Sequence, residues 1–187
     1  MVQKSYEANL ETALSYLKND QRKDAVSTMK RALSQVPEDE KLPENLAYLK
    51  ILFFCARFAI EDTDERIAYY YIKEGIKTKK FYADFLFLDI FLAKLQHRYG
   101  DMLSSIIAYL ISIDLPDRDA YGYDFVNTDA INEVFTVYLP LAYNNTQNHA
   151  MILNVLNNTI EKVKEFSTGE NVTKAYDIMR AMDFKSN

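Results

Sequence analysis

Four glycines, four prolines, one cysteine and no tryptophan in 187 residues leave this chain little with which to build sharp turns or covalent cross-links. All-β folds need a turn every few residues, and turns draw on glycine and proline. Their scarcity points to few, long elements. The single thiol, Cys55, allows no intramolecular disulfide and no cysteine-based zinc site. It lies inside the apolar run Ile51-Leu52-Phe53-Phe54-Cys55-Ala56 and reads as a small buried hydrophobe, since a reactive thiol needs a cation and access. Basic surface is also lacking. The net charge is −5, which speaks against nucleic acid as a partner.

No stretch approaches the ~18 uninterrupted apolar residues of a membrane span, and the start, Met1 to Glu7, has no apolar signal core. The expected setting is cytoplasmic. Chemistry-bearing motifs are sparse as well. The two histidines, His97 and His149, each fall at a predicted helix end, with no Glu-x-x-His or His-x-x-x-His spacing. There is no glycine-rich phosphate loop and no Gly-x-Ser-x-Gly elbow. Asp62, Asp64 and Glu65 read as a helix start rather than a metal loop. The expectation is a protein that is not an enzyme, with no cofactor and no metal.

What the chain has is periodicity. Apolar residues recur at spacings of three and four over 5–18, 22–35, 43–60, 64–78, 82–97, 101–113, 129–143, 149–165 and 170–182. That predicts nine helices and no strand. Pro43 is expected in the first turn of the third helix, Thr63 or Asp64 as cap of the fourth, Thr128 as cap of the seventh. Pro140 is expected to bend or frame that helix's last turn. Helix 43–60 is apolar nearly all round, the mark of burial between neighbours. Residues 114–127, with Tyr121, Tyr123 and Phe125, form the least regular stretch.

Short antiparallel helices can form a bundle or a solenoid, and internal repetition separates the two. Ala13, Tyr16, Ala25, Met29, Ala32 and Pro37 alternate small and large residues before a proline. Ala68, Ile72 and Gly75 repeat the second half of that pattern. The step from Ala68 to Met102 is 34 residues, and from Ala25 to Ala68 it is 43. In this the chain resembles tetratricopeptide repeats, whose units are two helices with small residues at the crossing. The resemblance implies an all-α solenoid of stacked hairpins in one domain. Its units are about 5–37, 43–80, 82–113 and 128–165, with a capping helix at 170–182. Met102 and Tyr109 stand where that family prefers alanine, and Asp89 where it prefers glycine. The run from Phe81 to Leu88, with Arg98-Tyr99-Gly100-Asp101, is also similar to repeat modules attached to bacterial family-2 glycosyltransferases.

The tetratricopeptide resemblance implies a scaffold that binds a protein or peptide in a groove lined by the first helix of each unit. The lysine/asparagine clamp of some family members is absent, with Leu10, Leu14, Phe54, Ala83 and Phe87 at the matching positions. Lys50, Phe53 and Arg57 share one helix face and are candidate groove contacts. Tyr69, Tyr70 and Tyr71 cannot all face one core. Tyr71 fits the buried side, leaving Tyr69 and Tyr70 as candidate contacts, together with Tyr121 and Tyr123 in the long loop. Such an aromatic patch suits a partner or a homodimer. An accessory module for a glycosyltransferase and a peptide-sensing regulator are the alternative readings.

Overall fold

The structure, a computed structural model, describes residues 4–115 and 127–185. It is all-helical, and the described residues contain no strand. The chain forms two compact units, residues 1–80 and 81–187.

The first unit holds α1 (Ser5–Lys18), α2 (Arg22–Ser34), a 3-10 turn (Glu38–Glu40), α3 (Leu46–Glu61) and α4 (Glu65–Thr78). Here α1 packs on α2, α2 on α3 and α3 on α4. The second unit holds α5 (Ala83–Leu95), α6 (Tyr99–Ile113), α7 (Thr128–Glu133), a π turn (Val134–Tyr138), α8 (Leu139–Asn144), α9 (His149–Val163) and α10 (Glu170–Lys185). There α5 packs on α6, and α10 packs on α6, α8 and α9.

Three of the hairpins use one turn. Asp20, Thr63 and His97 each adopt the left-handed conformation, with φ of 59°, 57° and 54°. In each case the following residue donates its amide to a carbonyl five positions back: Gln21 to Tyr16 at 2.9 Å, Asp64 to Ala59 at 2.8 Å, Arg98 to Ala93 at 2.9 Å. This closes the last carbonyls of the first helix as a Schellman motif. That same residue then takes the N-cap position of the second helix, with φ and ψ of −91° and 59° at Gln21, −89° and 73° at Asp64, and −90° and 68° at Arg98. The turns lie 43 and 34 residues apart, the steps already visible in the sequence. Burial follows the same register. Ala13, Ala56 and Ile90 are fully buried, as are Ala25, Ala68 and Met102, and Met29, Ile72 and Ile106. Tyr109 stands where the earlier hairpins have Ala32 and Gly75; it too is fully buried, its ring edge-on to Phe87 at 5.7 Å.

The longer first step is taken up mainly by the connection over 35–45. Pro43 lies before the helix rather than in its first turn, because Asn45 is the cap: its side chain accepts the Tyr48 amide at 3.1 Å. The Asn45 amide group also donates to the Glu40 carbonyl at 2.8 Å and to the Tyr6 hydroxyl at 3.2 Å. Tyr6 in turn donates to the Glu40 carboxylate at 2.5 Å. One asparagine thus ties the connection, the start of α3 and the side of α1.

Asp64 caps α4, accepting the Ile67 amide at 3.2 Å. At α7 the cap is Asn127, which accepts the Ala130 amide at 2.8 Å; Thr128 is the first helical residue. An asparagine oxygen outranks a threonine hydroxyl one step later. Pro140 sits in the first turn of α8, directly after the π turn. Proline has no amide hydrogen and its ring collides with the carbonyl four residues back. Here that carbonyl belongs to Thr136, inside the widened turn.

α10 is held at both ends. Near its start, the Asn171 amide and side chain donate to Asp114 at 2.9 and 2.6 Å, and the Ser167 hydroxyl donates to the Asp114 carbonyl at 2.7 Å. Near its end, Asp183 meets Tyr143 and His149. Between these clips Val172, Ala175 and Met179 are fully buried at helical spacing. Gly169 precedes it at φ 63°, where a side chain would also press on Lys164 Cγ at 3.3 Å.

Candidate partner-binding surfaces

The second unit carries an apolar groove of about 700 Å³. Leu103 and Ile107 of α6 form one wall. Met151, Ile152, Val155 and Leu156 of α9 form the other, and Met179 of α10 lies between. Asn145, Thr146 and Gln147 close one end, with Ser104 and Thr159 on the rim. No charged side chain lines it. Met151 and Val155 stand one helical turn apart and are 62% and 57% exposed. Apolar side chains so placed gain nothing from water, and α9 leaves them there beside buried Leu156 and Ile160. These residues lie on α9, not on the first helices where the tetratricopeptide likeness puts groove contacts. Their signal was the apolar stripe of α9 being wider than one packing face needs.

The His149 clip closes the α9 end of α8. His149 Nδ1 lies 2.8 Å from Asp183 Oδ1, and Nε2 lies 2.9 Å from the Tyr143 carbonyl oxygen. The imidazole stacks on the Tyr143 ring at 4.0 Å, and the Tyr143 hydroxyl donates to Asp183 Oδ2 at 2.9 Å. Burial, with Asp183 beside it, pushes the Tyr143 hydroxyl above the usual tyrosine range. His97 serves a different role as the left-handed turn residue, its Nδ1 3.0 Å from the Tyr99 hydroxyl. Among the described residues no cluster of three or more His, Cys, Asp or Glu comes together as a metal set. Cys55 is buried, and that burial pushes its thiol up to about 12.

In the first unit the predicted trio separates. Phe53 is 0% exposed and presents no surface to a partner; it is a core residue. α3 is buried on nearly every side, so the face carrying Phe53 turns inward. Lys50 is half-buried and Arg57 is exposed. The aromatic neighbour of Arg57 is instead Phe54, and both line a small cleft of about 300 Å³ with Leu17, Asp20, Arg22, Phe58 and Glu61. Glu61 binds Arg57 at 3.1 Å and Arg22 at 3.2 Å, while Arg22 also reaches Asp62 at 2.6 Å. Both guanidinium groups in this cleft are therefore already paired.

The three tyrosines of α4 separate as well. Tyr71 is half-buried, whereas Tyr69 and Tyr70 are 43% and 61% exposed. They line a recess of about 460 Å³ with Arg66, Ile67, Lys73, Glu74 and Lys77. The ammonium of Lys73 lies 5.3 Å from the Tyr69 ring centre, and the Tyr70 and Tyr71 rings meet edge to face at 5.5 Å. Tyr121 and Tyr123 lie outside the described residues.

No helix among the described residues is long and apolar enough to cross a membrane. No protein-family model matches the chain, and no curated protein or solved structure is significantly similar to it.

Proposed function

We propose that this chain is a non-catalytic scaffold of tetratricopeptide type, working in the cytoplasm, whose second unit holds an amphipathic helix of a protein partner. The observation that carries the reading is the uncharged groove between α6 and α9, with Met151 and Val155 presented to solvent. An uncharged trough rejects an ionised guest, which would lose water without gaining a counter-charge. It accepts leucine-like side chains at i, i+3 and i+4, the helix-in-groove mode. Methionine adapts its shape to such guests. The tetratricopeptide likeness is supported by the shared left-handed turn and the 34-residue step between Thr63 and His97.

The test is affinity capture from the native cell with the wild-type chain and with Val155→Glu. The exposed position should tolerate glutamate, leaving circular dichroism unchanged. The partner bound by the wild type should be lost by the variant. Equal recovery with both chains sinks the groove assignment.

A further inference from the structure

The recess on α4 has a different chemistry from the groove. Arg66, Tyr70, Lys73 and Lys77 follow at spacings of four, three and four, which places them along one side of the helix. Three cations line this recess against one carboxylate, Glu74. Glu74 offers only a 3.7 Å approach to Lys77, whose side chain is 80% exposed. Arg66 is exposed and has no ion-pair partner among the described residues. It also stands in the first turn of α4, the end of a helix that favours anions over cations. Nothing in the local folding of α4 asks for a cation there. Meanwhile Tyr69 and Tyr70 add two exposed rings to the same recess.

From this charge and this aromatic content we propose that the exposed face of α4 is a second docking surface, for an acidic peptide segment carrying an apolar side chain. Carboxylates on the segment pair with Arg66 and Lys77, while its apolar residue packs between the Tyr69 and Tyr70 rings. The complementarity is of sign: a positive face on a chain whose net charge is −5 selects against this chain's own prevailing surface and for an acidic partner. A nucleic acid is disfavoured because the chain as a whole is acidic, with a net charge of −5. The site is independent of the groove in the second unit.

The experiment is a selection of short random peptides displayed on phage against the immobilised chain, followed by solution binding of the enriched sequences. Three forms are compared: wild type, the triple reversal Arg66→Glu/Lys73→Glu/Lys77→Glu, and Val155→Glu. Wild type should enrich peptides in which aspartate or glutamate flanks a leucine or an aromatic residue. The triple reversal should weaken their binding by at least about tenfold, and added salt should weaken it further. Val155→Glu should bind them as wild type does, which keeps this surface distinct from the groove. If the triple reversal loses its helical circular dichroism, Arg66→Gln/Lys77→Gln, at two exposed positions, takes its place. Enriched peptides without acidic bias, unchanged affinity in the reversed chain, or preferential binding of a single-stranded RNA oligonucleotide would each overturn the proposal.

Discussion

His149 and Asp183 lie 34 residues apart in sequence and 2.8 Å apart in space, ring nitrogen to carboxylate oxygen. Asp183 also accepts from Tyr143, so one carboxylate joins the start of α9, the end of α8 and the last turns of α10. Removing it with Asp183→Ala leaves two polar groups without their shared acceptor. A half-buried site of this kind should cost about 1–2 kcal/mol. Urea unfolding monitored by far-ultraviolet circular dichroism checks the figure, and an unchanged midpoint would mean the clip is decorative.

Asn45 should matter more than an ordinary cap. Asp64→Ala removes one cap bond, to the Ile67 amide, and should cost about 1 kcal/mol. Asn45→Ala removes a cap and two further bonds, to Glu40 and Tyr6. It should therefore destabilise more than Asp64→Ala, by a further increment of about 1 kcal/mol. Paired thermal melts of the two variants give the comparison directly.

The left-handed turns carry backbone strain. Asp20 tolerates the conformation better than Thr63, because a branched Cβ crowds the carbonyl at positive φ. Thr63→Gly should stabilise the chain by about 1 kcal/mol and Asp20→Gly by less. The reverse change, Gly169→Ala, imposes both the strain and the contact with Lys164, and should destabilise. Melting temperatures that rank these variants in any other order would contradict the shared-turn account.

Alkaline conditions should unfold the protein earlier than a surface tyrosine count suggests. Burial raises the Cys55 thiol from an ordinary value of 9 to about 12, and it holds the Tyr109, Tyr138 and Tyr143 hydroxyls above the ordinary 10. A group whose folded value is raised binds its proton more tightly when folded. Its stabilising contribution is complete below the unfolded value and is lost as pH climbs toward the folded one. Stability should thus be flat with respect to these groups up to about pH 9 and fall above it. Urea midpoints across that range test the slope. At neutral pH a disulfide reagent should modify Cys55 slowly in the native chain and rapidly in urea.

Two adjacent residues of the α9 wall separate packing from binding. Leu156 is buried, so Leu156→Ala should cost about 2–4 kcal/mol. Val155→Ala, one residue away and exposed, should change stability by less than about 0.5 kcal/mol. Chemical denaturation distinguishes the two at once.

Helix existence was legible in the sequence almost everywhere, because spacings of three and four are a direct image of the helical turn. The 43- and 34-residue steps were legible too, and the turns at Asp20, Thr63 and His97 repeat them. Helix starts were less so. Pro43 looked like a first turn, and only the bonds of Asn45 to Tyr6 and Glu40 explain why α3 waits until Leu46. Side-chain exposure was least legible. Phe53 and Phe54 are chemically alike and adjacent, and which of them faces outward depends on the rotation of α3 in its packing. The exposure of Tyr69 and Tyr70 was recoverable because three consecutive tyrosines cannot share one face. The clip at Asp183 left no sequence signal, since its partners lie in other helices.

The π turn sets which side of the segment over 128–144 faces the core. Its buried positions recur every four residues: Ala130, Val134, Tyr138 and Ala142 form one row, Phe135, Leu139 and Tyr143 another. Four residues of α-helix overshoot a full revolution by about 40°. Over the whole segment the row would wind away from the core. One widened turn takes up the overshoot, as though a single residue had been inserted into an older, shorter helix and kept. Deleting one residue between Val134 and Tyr138 should restore an unbroken α-helix whose two halves still face the core, because steps of four, three and four residues nearly cancel their drift. The insertion thus acts as a gear between two halves of a helix that must both face inward.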